Sequence, residues 1–313
     1  MFRYAVWGVE LASALALPSL RPSSSAHRDP ADSPRILTFL RASVPLGEPD
    51  RWLNTEMLGD TDRPWRAVGV SSRGYFVRLF GAVDFLLERD APVAHFFVDP
   101  AAEEGVVEPL FLEQALPLWL SWLGRPCLHA SAVAWGDRAV AFSGRSGAGK
   151  STLATMLASS PSSGGLIADD CLPIEIAGDR ALVHPGHRAV RLLRDSAAAI
   201  FADPCAGDLS LDGEKRRIDV PAAERSSPLA RYYELVPSQG SARVIPLRRR
   251  DALGTFATHL FRVDPEDPAR LPGELELLTS LTERVRVARL HVPRRYDALD
   301  DVRAVIEADL AND

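Results

Sequence analysis

Lysine is nearly absent from this chain: of 36 basic residues among 313, only Lys150 and Lys215 are lysines and the rest are arginine. With 42 acidic residues the formal charge is −6, so no global basic field exists to hold a nucleic-acid backbone. Cysteine is equally scarce. Cys127, Cys171 and Cys205 form no close metal-binding pair and no secreted disulfide framework, which points to a reducing cytoplasm. No apolar run is long enough to span a bilayer. Arg3 followed by Leu11–Leu17 superficially resembles a signal segment, but Glu10 interrupts the stretch, and a folded strand or short helix is the expected outcome. Internal repeats, heptads and low-complexity arrays are missing as well.

What is present is an ordinary globular composition, 46% hydrophobic and 25% charged, enough for one large domain or two modest ones. The informative stretch is GRSGAGKS, comprising Gly144, Arg145, Ser146, Gly147, Ala148, Gly149, Lys150 and Ser151, with Thr152 next. Glycines let the backbone curl so that successive N–H groups face phosphate oxygens. Lys150 reaches the β and γ oxygens, and the Ser151 hydroxyl joins a magnesium shell. A strand-like segment, Arg138–Ser143, precedes the loop and a helical candidate, Lys150–Ser159, follows it, which is the context such a loop requires. A ligand-free glycine turn is the bland alternative.

The next short strand, Leu166–Asp169, ends in Asp169 and Asp170 after only one intervening helix. A carboxylate at a strand end can hold magnesium or orient its water, so a compact kinase-like site is expected, against the alternative of an acidic turn cap. His129 lies just before the loop hairpin and is placed to couple to a carboxylate, unless it is simply a hydrogen-bonded core residue. His187, Arg188, Arg191 and Arg194 form a basic stretch in which Arg191 is the stronger candidate for a transferring phosphoryl group. Lys215, Arg216 and Arg217 form a second such cluster, and in both cases a solvated basic face is the competing reading.

Around these motifs, Tyr4–Val9, Tyr75–Phe80 and Val93–Val98 suggest a small N-terminal β-containing module over residues 1–105, with Arg21–Ser33 as a surface loop. Residues 106–313 form the catalytic segment. It opens with a buried helix, Leu110–Leu123, that is kinked by Pro117 and packs beside the nucleotide-binding sheet. Hairpins follow at Cys127–Ala134/Arg138–Ser143 and Pro173–Ile176/Ala181–His184. Strands are expected at Tyr232–Val236 and Ala242–Leu247, and helices at Asp251–Phe261, Glu274–Val285 and Leu299–Asp309.

Taken in order, LHASAV at Leu128–Val133, the phosphate loop, LIADD at Leu166–Asp170, HPGHRAVRL at His184–Leu192, EKRRIDV at Glu214–Val220 and HVPRRYDAL at His291–Leu299 resemble the catalytic domain of the HPr kinase/phosphorylase family. The resemblance is closer to its short HPr-kinase-like branch, which includes lasso-peptide precursor kinases. It covers roughly residues 110–300 and implies an α/β fold with a phosphoenolpyruvate-carboxykinase-like P-loop kinase core. It also implies ATP and Mg2+ as cofactors. Asp169 matches the acid that takes the acceptor's proton, Asp170 the acid that organises magnesium and His129 the histidine supporting the first acid. Arg191 and Lys215 match positions on the phosphate or acceptor side. The chain departs from the regulatory enzymes at Thr152, where they commonly carry an acid, and in LSLDGEKRR, which lacks their bifunctional signature. Phosphorylase activity and HPr as acceptor are therefore not implied. The expectation is an ATP-dependent kinase of a serine hydroxyl on a peptide or small protein, such as a lasso-peptide precursor. It acts without nucleic-acid or membrane partners, and assembly as a homo-oligomer is left open. A small-molecule kinase and a nucleotide-responsive scaffold are the competing classes.

Overall fold

The computed structural model describes residues 1–23, 36–59, 61–160, 163–201, 207–209, 215–262, 264, 267–268, 270–312. Most of the expected Arg21–Ser33 loop, and Cys205, lie outside them. The fold is mixed α/β, and the chain divides into two compact units, Met1–Gly124 with Arg262–Pro265 and Arg125–Phe261 with Glu266–Asp313.

The first unit is built on a nine-stranded sheet in the order Arg21–Pro22, Phe2–Val6, Val9–Ser13, Ile36–Arg41, Val93–Val98, Val83–Glu88, Gly74–Leu79, Pro64–Ser71, Arg51–Met57. Its first hairpin turns through Trp7 and Gly8, both at positive φ (47° and 73°), the two-residue geometry whose twist matches paired antiparallel strands. Leu11 is fully buried in the second strand of that hairpin, so the apolar N-terminal run is sheet core.

Against this sheet packs the segment expected beside the nucleotide site. Phe111 stacks on Phe39 with ring centroids 3.8 Å apart, and Trp122 meets Tyr75 edge-on at the same separation. Aromatic partners of matching geometry therefore draw Val107–Trp122 into the core of the first unit, which runs to Gly124, past the division at residue 105 read from sequence. The irregularity also differs from a simple proline kink. Pro117 has no N–H for the carbonyl four residues back, and the segment widens to a π turn at Phe111–Ala115 in which the Leu116 N–H bonds the Phe111 carbonyl.

The second unit carries a mixed sheet in the order Cys127–Leu128, Leu172–Ala177, Arg180–Val183, Ser227–Ser238, Arg138–Ser143, Ala130–Trp135, Ser163–Ala168. Arg286–Pro293 also pairs with Ser227–Ser238, and Arg243–Pro246 with Arg286–Pro293. At its centre Arg138–Ser143, Ser227–Ser238 and Arg286–Pro293 run parallel. Side chains of successive residues point to opposite faces of a strand, and here each face finds its own core. Ala139, Ala141 and Tyr232 pack with Phe256, Leu278 and Leu281 of the helices Arg249–His259 and Leu271–Arg284. Val140, Phe142 and Tyr233 pack instead with Leu153 and Leu157 of the helix Lys150–Ala158 and with Val302 and Ile306 of Leu299–Ala311. The last helix is further tied to the sheet by Asp309, whose carboxylate accepts from Tyr233 at 2.6 Å and from Arg231 at 2.9 Å.

A separate three-stranded sheet, Ala189–Leu193, Lys215–Asp219 and Asp208–Leu209, carries both candidate basic positions. The helix Arg194–Phe201 that follows its first strand was not expected from the sequence. Among the described residues no helix is long and apolar enough to cross a membrane.

Candidate active site

The hairpin Ala130–Trp135/Arg138–Ser143 delivers the phosphate loop. Its second strand ends at Ser143, and Gly144 takes φ 146°, where an added Cβ would lie 3.1 Å from Ala148 Cβ and 3.3 Å from Leu235 Cβ. Gly149, at φ 98°, turns the chain into the helix Lys150–Ala158. The helix N-terminus contributes unpaired N–H groups and a positive dipole end, the combination that suits phosphate. Lys150 is buried at 6% exposure, and its Nζ donates to the Gly144 carbonyl at 3.2 Å, so the ammonium is held across the loop it serves. Burial lowers its pKa, against the pull of Asp170 and Asp169.

The strand Ser163–Ala168 runs in the same direction two positions away, and both acids follow its last residue. Asp169 is 4% exposed and accepts from Ser131 Oγ at 2.6 Å and from the Arg191 backbone N–H at 3.1 Å. Asp170 sits at φ 61°, an uncommon conformation for a residue with a side chain, and turns its carboxylate to Arg191 Nη2 at 2.8 Å. One residue thus fixes both acids, Asp169 through its backbone and Asp170 through its guanidinium.

The environment drives the two carboxyls apart. Burial pushes Asp169 above the ordinary carboxylate range, helped by the neighbouring charge of Asp170 and opposed by the hydroxyl and N–H donors around it, Ser131 first. Burial would raise Asp170 too, but Arg191, with His129 and Lys215, holds it below that range. A charged carboxylate beside one that binds its proton more tightly is the separation that acid–base work at a phosphoryl group uses.

The shift has a stability consequence with a definite sign. The folded state holds the Asp169 proton more tightly than the unfolded chain does. The stability this group confers is therefore complete below the ordinary carboxylate pKa and is lost as pH rises through the raised value. The melting temperature of Asp169→Asn minus that of the wild type should accordingly grow as pH rises through that window. Thermal melts across a pH series check this, and a constant difference contradicts it.

A cavity of about 660 Å³ opens over the loop, within the size range of small-molecule sites. Of the residues singled out from sequence, it is lined by Ser146, Gly147, Ala148, Gly149, Lys150, Ser151, Thr152, His129, Asp170, Arg191 and Lys215. Gly144 and Arg145 are not on its wall: Gly144 contributes its backbone conformation and carbonyl, and the Arg145 side chain is exposed. Asp169 lies buried beneath Ser151 and Ser131.

His129 occupies a different place from the one expected. The expectation sets it beside Asp169, whereas it lines the cavity with Asp170 and lies in the field of Lys150 and the Asp170 carboxylate, its ring edge-on to Phe261 at 5.6 Å. Burial is the first cause of its lowered pKa. Ser131, two residues along the same LHASAV segment, is the side chain that donates to Asp169. Strand alternation could have found it: within Ala130–Trp135, Ser131 faces away from Ala130 and Ala132, which pack together in one core. His187 also leaves the basic stretch. It is buried and pushed down to about 4, by burial first and by Arg217 and Arg191 next, so it is neutral near pH 7. Arg188 and Arg194 are exposed.

Two hydroxyls missed at the sequence level, those of Ser196 and Tyr296, form a chain along the cavity with Thr152. Thr152 Oγ1 donates to Ser196 Oγ at 3.2 Å, and Ser196 Oγ lies 3.1 Å from the Tyr296 hydroxyl. They come from three separate elements, so no local spacing marks them.

The donor set fits one kind of metal ion. Among the described residues no group of three or more His, Cys, Asp or Glu side chains is arranged to hold a metal unaided. Ser151 and Asp170 nevertheless present hard oxygen donors on the cavity wall, which suits a cation that takes one or two protein ligands and the rest from phosphate and water.

No protein-family model matches the chain, and comparison with curated proteins finds no match in sequence. Among solved structures the chain is similar to the HPr(Ser) kinase/phosphatase from Coxiella burnetii, at 16% identity and a TM-score of 0.32, with 59% of this chain and 97% of that one covered. The match is weak and of low identity.

Proposed function

We propose that the second unit is an ATP-dependent kinase that transfers the γ-phosphoryl group to a serine hydroxyl, on a peptide such as a lasso-peptide precursor. The observation that carries the reading is a complete phosphate loop whose buried Lys150 shares one cavity with Asp170, with Asp169 fixed beneath it. The ordered motifs of the sequence and the short path of one helix and one strand from Lys150 to Asp169 support the finer assignment, a phosphoenolpyruvate-carboxykinase-like P-loop kinase core. The buried free thiols Cys127 and Cys171 suit the cytoplasmic setting proposed for it.

In this reading the loop amides and Lys150 hold the phosphate oxygens and offset the charge that develops on them. Asp169 accepts the proton of the serine hydroxyl as its oxygen attacks the γ-phosphorus and the bond from that phosphorus to the bridging oxygen breaks, releasing ADP, and the raised pKa favours that acceptance. Ser131 and the Arg191 N–H orient the carboxylate, while His129 and Arg191 set the charge and position of Asp170. Magnesium, held by Ser151 and Asp170 when it arrives with the nucleotide, supplies charge neutralisation at the phosphates. Lys215 lines the same cavity, and its charge lowers the pKa of both Lys150 and Asp170, which supports a role for it beside the transferring group.

Arg191→Met keeps the backbone donor to Asp169 but releases Asp170. It should lower kcat roughly 10- to 100-fold and raise the magnesium concentration needed for half-maximal rate. Magnesium titrations of the rate check this, and an unchanged requirement would remove Arg191 from the account. The reading as a whole is tested by mass spectrometry of precursor peptides, HPr and hydroxylated metabolites after incubation with ATP and magnesium. A phosphate gained by metabolites alone would replace it with a small-molecule kinase.

A further inference from the structure

The sheet gives the cavity a direction. The phosphate loop leaves the strand Arg138–Ser143 at Ser143, which is level with Glu234 and, one strand further, with Arg289. Those two neighbouring strands run parallel to it and continue beyond that level to Ser238 and Pro293, which carries them about 13 Å past the start of the loop. They form a wall on one side. The acids stand on the other side, because Ala130–Trp135 and then Ser163–Ala168 lie across the first strand from Ser227–Ser238. Loop, acids and wall therefore follow one another across the carboxyl ends of the strands, where open α/β sheets take their ligands.

The two sides differ in chemistry. His129, Asp170, Arg191 and Lys215 line the cavity on the side of the acids. The wall instead presents Pro237, opposite Val292 in the register, then Pro293, the two cationic side chains Arg294 and Arg295 and, after the turn, Tyr296 and Leu299. Tyr296 is 44% exposed, and its hydroxyl is tethered through Ser196 to Thr152 at the head of the loop helix, so an aromatic face is held at a fixed distance from the phosphate loop. A wall that combines an apolar stretch, one aromatic ring and the guanidinium groups of Arg294 and Arg295, continuous with a phosphate loop, suits a planar heterocycle attached to a polyphosphate.

We infer that the wall formed by Pro237, Val292, Pro293 and Tyr296 is the nucleoside subsite. ATP lies across the loop with its base against the Tyr296 ring and its γ-phosphate toward Asp169. This rests on the phosphate-loop reading above and extends it, because it separates groups that hold the base from groups that hold phosphate. It also places the acceptor, which enters from the side of Arg191 and Lys215 and leaves the Tyr296 side to the nucleotide.

Equilibrium binding of Mg-ATP and of inorganic tripolyphosphate distinguishes the two parts. Tyr296→Ala should weaken Mg-ATP about tenfold, the loss of one stacked ring, and leave tripolyphosphate within about twofold of wild type. Tyr296→Phe keeps the ring and should bind both as wild type does within about twofold, whereas Lys150→Met should weaken both about tenfold or more. The Tyr296 side chain is too exposed for its removal to unfold the unit, and thermal melts of each variant check that. Equal weakening of both ligands by Tyr296→Ala, or weakening of neither, overturns the subsite if Lys150→Met weakens both. If Lys150→Met leaves both unchanged, the phosphate-loop reading fails and the subsite fails with it.

Discussion

Asp169→Asn should slow phosphoryl transfer to a serine acceptor by roughly 10³-fold while ATP binding stays within about twofold of wild type. The substitution preserves volume at a 4%-exposed position, so it leaves the packing of the loop and the strand end in place. It removes the proton acceptor. It also turns an amide N–H₂ toward donors, because Ser131 and the Arg191 N–H both give hydrogen bonds to the native carboxylate. Binding survives because the phosphate contacts come from the loop and Lys150, whose surroundings Asp169 shares only electrostatically. Steady-state rates with an acceptor peptide and equilibrium binding of ATP separate the two. Full turnover by the variant would transfer the proton-accepting role elsewhere.

Lys150→Met should lower transfer by a further class of effect, a loss of roughly 10²- to 10³-fold together with weakened binding of nucleotide. The ammonium is buried under the cavity and bridges the loop to Gly144, and burial already costs it some of its proton affinity. Its retention in a chain with only two lysines is explained by geometry. A guanidinium is wider and planar, and the enclosed position across the loop suits a compact point charge. Rates and ATP affinity of Lys150→Met and Lys150→Arg should both fall. Wild-type affinity in either would place the phosphate contacts outside the loop.

The sequence made the phosphate loop, the acids and the order of strands and helices around them legible because each is local. GRSGAGKS is contiguous, LIADD is one strand and its end, and the helices Arg249–His259, Leu271–Arg284 and Leu299–Ala311 each fall on a segment with helical periodicity. What stayed hidden depends on contacts between distant segments. The packing of Val107–Trp122 is decided by Phe39 and Tyr75, residues far upstream whose placement no local pattern encodes. The burial of His187 follows from the separate three-stranded sheet, which pairs Arg191 with Arg217. The sequence marks Arg191 as a candidate beside a transferring phosphoryl group, and only the fold shows that its guanidinium holds Asp170 and its backbone holds Asp169. The chain of Thr152, Ser196 and Tyr296 hydroxyls spans 145 positions of sequence and appears only once three elements meet.

The central claim is that Asp169 and the phosphate loop together phosphorylate a serine. It is tested most directly by mass spectrometry of a serine-bearing precursor peptide after incubation with ATP and magnesium, run side by side with wild type and Asp169→Asn. The account expects one phosphate on a serine with the wild type and none on the same timescale with the variant. Equal phosphate on the peptide in both samples would contradict it. So would a wild-type protein that binds ATP tightly and modifies no acceptor across peptides, small proteins and metabolites.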